Sequence, residues 1–93
     1  MAELKGQLIV RNGMGLHARP CAQIVRLVNC FPELNVRFRY GSEVADGHSV
    51  MELMILAVGQ GAVLEVALEG NLDQCQTLLR DLQNLFVNKF GEE

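Results

Sequence analysis

The hydrophobic period of the chain switches repeatedly, and each switch marks an element. Leu4, Leu8 and Val10 fall at even spacing with Ile9 on the opposite side, which predicts a first strand. Arg11-Asn12-Gly13-Met14-Gly15 breaks that pattern, and its two glycines mark a loop. Ala18, Cys21, Ala22, Val25 and Val28 then recur every three or four residues, the period of a helix. That helix should end near Cys30, because the residue before Pro32 disfavours helical angles. From Asn35 the period becomes two: Val36, Phe38 and Tyr40 alternate with Arg37 and Arg39. Gly41-Ser42 turns the chain into a short strand, Glu43-Val44-Ala45, and Asp46-Gly47 turns it again. A short apolar helix is predicted from Val50 to Ala57, closed by Gly59-Gln60-Gly61. Leu64, Val66 and Leu68 alternate with Glu65, Ala67 and Glu69 as a fourth strand. Leu72, Cys75, Leu78, Leu79, Leu82, Leu85, Phe86 and Phe90 give the clearest amphipathic helix, with Gly91 placed to end it.

The predicted order, β-α-β-β-α-β-α, is that of an α+β domain in which helices cover one face of an antiparallel sheet. Arg37, Arg39, Glu65 and Glu69 would then lie on the open face, where opposite charges on neighbouring strands attract. No linker or repeat divides residues 1–93, so one domain is expected. Composition narrows the function classes. A net charge of -3 gives little support to a nucleic-acid role. The longest uncharged apolar run, Leu53 to Val58, is far too short to span a membrane, and Met1 to Gln7 does not read as a signal peptide. Cys21, Cys30 and Cys75 are odd in number and form no Cys-x-x-Cys pair. They read as buried thiols in a reducing compartment, which places the chain in the cytoplasm without a metal framework or cofactor.

Gly15-Leu16-His17-Ala18-Arg19-Pro20 carries the most chemistry. Pro20 suits the first turn of a helix, where its missing N–H would have no partner. His17 therefore falls at or near the N-cap, at the positive pole of the helix. That pole favours a neutral, nucleophilic ring. It also favours the negative charge the ring would gain on phosphorylation, and Arg19 can add a charge-assisted hydrogen bond. Cys21, one turn on, reads as a small core residue, and no further ligands accompany it and His17 to bind a metal.

This six-residue string closely resembles the active-site motif of HPr, the histidine-containing phosphocarrier family of the bacterial phosphotransferase system. The resemblance extends over nearly the whole chain in the order of elements. It implies an open-faced β-sandwich, a four-stranded antiparallel sheet covered on one face by three helices. It also implies that His17 carries a phosphoryl group and Arg19 supports it. The implied partners are enzyme I as donor and enzyme II A-type components as acceptors, in sugar transport or regulation. A serine kinase/phosphatase and a transcription regulator are further partners of such a monomer, with neither nucleic acid nor membrane among them. The protein would be a carrier rather than an enzyme.

Ser49-Val50-Met51-Glu52 has the form of a capping box, which accounts for the serine as a helix start. By the same resemblance, Ser49 matches a serine that a dedicated kinase phosphorylates, although Glu52 would repel a phosphate there. The short helix is apolar all round. Leu53 and Leu56 or Ala57 would face the sheet, leaving Val50, Met51 and Met54 as an exposed patch for docking, with Arg26 at its rim. Flexible methionines suit several partners. Two alternatives have weaker support. An acylphosphatase-like enzyme would use Arg11 and Asn12 but has no role for the His-Arg-Pro junction. A regulatory phosphoacceptor of a nitrogen-linked branch would have the same sequence signature.

Overall fold

The computed structural model describes residues 1–92. Alternating apolar and polar positions form four strands: β1 (Ala2–Ile9), β2 (Asn35–Tyr40), β3 (Glu43–Asp46) and β4 (Val63–Gly70). They make one antiparallel sheet in the order β1-β4-β2-β3. The helices are α1 (Ala18–Val28), α2 (Val50–Ile55) and α3 (Leu72–Val87), so the observed order is that read from the pattern.

β4 is paired on both edges, and its Leu64, Val66 and Leu68 are buried together with Val36 and Phe38 of β2. Against this face pack Ile24 and Val28 of α1, Leu53 of α2, and Leu78, Leu82 and Phe86 of α3. Each of these side chains contributes about 1.5–3 kcal/mol by leaving water. Helix α3 runs along β1 and β4, while α1 bridges α2 and α3. The opposite face of the sheet is open and charged. Arg39 lies directly across from Glu65, and Arg37 approaches Glu3 at 4.0 Å with both side chains about half exposed. Such exposed pairs contribute little stability. Glu69 departs from the expected complementarity, since its neighbours in the register are Glu3 and Asn35.

Four boundaries and environments differ from the sequence reading. Helix α2 stops at Ile55 rather than Ala57, because Ala57 adopts φ +54 and turns the chain toward Val58. Helix α3 stops at Val87 instead of running to Phe90. Lys89 and Phe90 both take φ +56 and Gly91 φ +77, a left-handed turn that folds the following segment back. A left-handed backbone costs a non-glycine residue about 1–2 kcal/mol. Burial of Phe90 against Phe86, with ring centroids 4.8 Å apart in edge-to-face contact, offsets that cost at one of the two positions. Cys30 is exposed, not buried, because it lies in the turn beyond the last core residue of α1, Val28. The capping box is one-sided. Ser49 Oγ accepts from Glu52 N at 3.2 Å, but the Glu52 carboxylate accepts from Asp46 N at 2.9 Å rather than from Ser49 N.

Candidate functional site

The loop between β1 and α1 is held by close backbone contact. Gly15 has φ +69, and a Cβ there would sit 2.5 Å from Val58 O. Only glycine lets the loop approach the segment after α2 so closely, where Leu16 N donates to Val58 O at 2.9 Å. Leu16 and Pro20 are buried on either side of His17, so the backbone is pinned while the imidazole, 31% exposed, faces outward. His17 is the N-cap of α1 in extended conformation. Its carbonyl accepts from Cys21 N at 3.1 Å, and its side chain takes no part in capping. Pro20 has no N–H to offer, and among the described residues the Ala18 and Arg19 amides of the first turn have no hydrogen-bond partner.

The imidazole meets a carboxylate that the pattern of the sequence does not announce. His17 Nε2 lies 2.8 Å from Glu92 Oε2. Asn12, fully buried, donates from Nδ2 to Glu92 Oε1 at 3.0 Å and to Gly15 O at 2.7 Å. Both neighbours of that nitrogen are acceptors, which fixes the orientation of the amide. Asn12 Oδ1 is buried without a hydrogen-bond partner among the described residues. The left-handed turn at 89–91 delivers Glu92 to this place, and Gln23 of α1 secures it by donating to Phe90 O at 3.1 Å.

The residues singled out from the sequence are only partly gathered here. Arg19, two residues on from His17, is exposed and makes no ion pair among the described residues, so its guanidinium is unengaged. Arg26 is exposed in the last turn of α1, at the end away from His17. That end adjoins the start of α2, where His48 Nδ1 meets Asn29 Oδ1 at 2.8 Å and His48 Nε2 donates to Leu34 O at 3.1 Å. Ser49 caps α2 in the same region. Leu53 and Leu56 face the core, and Met51 and Met54 are exposed, as the pattern predicts. Val50 packs partly against the core and still lines one open apolar surface with Met51, Met54 and the exposed Ile55. Cys21 is buried, its thiol donating weakly to Leu16 O at 3.4 Å and pushed up to about 11 by burial. The Cys75 thiol is also raised, by burial first and by the charge of Glu69 second.

Asn12 and Glu92 are the site residues that sequence reasoning missed. Asn12 stood only as a candidate in a different chemistry. Glu92 is 75 positions from His17 in the chain and follows a turn that no local spacing announces.

Residues 4–88 match the family model described as the PTS HPr component phosphorylation site. The phosphocarrier protein HPr of Xylella fastidiosa strain 9a5c is 37% identical over 90 residues, covering 97% of this chain and 98% of its own. Among solved structures, an HPr from Bacillus anthracis superposes with a TM-score of 0.82 at 26% identity, covering 92% of this chain and 99% of its own. HPr-C-His from Thermoanaerobacter tengcongensis gives 0.80 at 30% identity, covering 100% and 99%. Fold and likeness together define a phosphocarrier protein of the phosphotransferase system, not an enzyme. The chain belongs to the HPr family.

Proposed function

We propose that His17 is the phosphoryl carrier, accepting from enzyme I and delivering to an enzyme II A-type component, in the cytoplasm and as a monomer. The observation that supports this most directly is the placement of His17: a partly exposed imidazole held rigidly at the N-cap of α1 beside two free backbone donors. Incoming phosphoryl oxygens find the Ala18 and Arg19 amides, the positive pole of the helix and the Arg19 guanidinium, while the backbone beneath them is fixed by Gly15. A carrier must let go as readily as it accepts, and this site meets that need with exposed charges in place of an enclosing pocket.

The docking surface of this reading is the outer side of α2. Met51, Met54 and Ile55 are 73%, 42% and 70% exposed, with Val50 at their margin. A short apolar patch, with the exposed Arg19 and Arg26 as its proposed basic rim, fits transient binding to a donor and then an acceptor. Ser49 is the proposed regulatory position, since a phosphate there would add about -1.5 to -2 charges beside the patch and beside Glu52. The test is reconstitution. The protein, phosphorylated by enzyme I and phosphoenolpyruvate, is mixed with a purified enzyme II A domain. Transfer of the label to that domain is expected; label retained indefinitely on the protein would overturn the carrier reading in favour of a terminal phosphoacceptor.

A further inference from the structure

We infer that Glu92 is the positioning residue of the carrier histidine, holding the proton of the ring on Nε2 so that the nucleophilic lone pair stands on Nδ1. This rests on the reading of His17 as the carrier. A carboxylate only accepts, so the hydrogen between Glu92 Oε2 and His17 Nε2, 2.8 Å apart, belongs to the ring. In the neutral imidazole the other nitrogen then holds the free electron pair. No hydrogen bond engages Nδ1 among the described residues.

The contact is built, not incidental. Both Glu92 oxygens are used, Oε1 by Asn12 and Oε2 by His17, and the Asn12 amide cannot rotate because its other hydrogen is committed to Gly15 O. Three successive left-handed residues, Lys89, Phe90 and Gly91, are needed to bring the carboxylate back. Burial of Phe90 and the Gln23 hydrogen bond to its carbonyl hold that turn in place.

In transfer from a phosphoimidazole donor, the Nδ1 lone pair forms the new N–P bond. The P–N bond of the donor breaks, and its electron pair returns to the donor ring. The proton on Nε2 stays where it is throughout, and the positive character that the His17 ring gains lies against the Glu92 carboxylate. Onward transfer reverses these steps. The arrangement is that of a carboxylate orienting a histidine in a hydrolase triad, applied to a ring that is itself the nucleophile.

The test turns on an inverted order of severity. In Glu92→Gln, the oxygen of the substituted amide must face Asn12 Nδ2, which can only donate and is held in that orientation by Gly15 O, so the new amide nitrogen faces His17 Nε2. That nitrogen donates, the ring must accept at Nε2, and its proton moves to Nδ1, where it blocks attack. In Glu92→Ala the tautomer is merely unheld. Phosphorylation by enzyme I and phosphoenolpyruvate should therefore be slowed a few-fold in Glu92→Ala and by about tenfold or more in Glu92→Gln, short of the roughly 10⁴-fold that a wrong tautomer costs a triad hydrolase. Nitrogen-15 spectra of His17 in the free protein should show Nε2 protonated in the parent and Nδ1 protonated in Glu92→Gln. Both variants are compared at a temperature where melts show them folded. A Glu92→Gln protein as fast as Glu92→Ala or faster, or a parent ring protonated at Nδ1, would overturn the proposal while leaving the carrier reading intact. His17→Ala run alongside separates the two: a phosphoryl group still gained there removes the carrier reading and this proposal together.

Discussion

Replacing Gly15 by alanine tests whether close backbone approach positions His17. Two costs add. Alanine at φ +69 carries a penalty of about 1–2 kcal/mol for a left-handed backbone. The new Cβ, 2.5 Å from Val58 O, also forces the loop away and breaks the Leu16 N–Val58 O hydrogen bond, worth about 0.5–1.5 kcal/mol net. The sum is about 1.5–3.5 kcal/mol, which for a domain of this size lowers Tm by about 6–28 °C. Gly41→Ala is the matched control. Gly41 has φ +63, but a Cβ there meets nothing within 4 Å, so only the backbone cost applies and a fall of about 4–16 °C, smaller than that of Gly15→Ala, is expected. Thermal melts of the parent and both variants measure the difference, and phosphorylation rates below the lower Tm report whether His17 has moved. Equal Tm shifts in the two variants would refute the claim that the 15–58 approach is sterically exclusive.

Four further outcomes follow from the geometry. Met51→Asp should weaken binding to enzyme I about tenfold while leaving Tm within about 2 °C, because Met51 is 73% exposed; titration and parallel melts check it, and a collapsed Tm would place Met51 in the core instead. Arg19→Ala should slow phosphorylation about 10- to 100-fold with little loss of stability, since the guanidinium is exposed and makes no ion pair among the described residues; stopped-flow transfer against melts separates the two effects. Alkylation of the native protein at pH 8 should label Cys30 alone, as judged by mass, because Cys21 and Cys75 are buried and their thiols are raised. Stability should also fall between about pH 9 and 11. Over that window the unfolded chain releases the Cys21 proton while the folded protein, titrating at about 11, keeps it; the loss from Cys21 is at most about 2–3 kcal/mol, and Cys21→Ala should remove that share while the raised Cys75 thiol keeps its own.

Periodicity made most of the fold legible because each layer buries one face of each element. Leu64, Val66 and Leu68 sit in the core and Glu65 outside it, as strict alternation on a doubly paired strand requires. His17 was legible as well, because Pro20 marks the first turn of α1 and so fixes which residue caps it. What escaped the sequence depends on backbone reversals by residues that carry no turn signal. Ala57, Lys89 and Phe90 all take positive φ without being glycine, and tertiary contacts, not local preference, hold them there. The apolar period of α3 continues through Phe90 even though the helix does not, because that side chain reaches the core from the turn as well as it would from another helical turn. Glu92 was hidden for the same reason: its partner is set by where the turn at 89–91 sends the chain.

The measurement that bears most directly on the account is the mass and chemical stability of the phosphorylated protein, parent against His17→Ala. Incubated with enzyme I and phosphoenolpyruvate, the parent should gain one phosphoryl group that acid removes and base does not, and His17→Ala should gain none while melting as a folded protein. A base-stable, acid-labile phosphoryl group appearing on His17→Ala would contradict the assignment of His17 as the carrier.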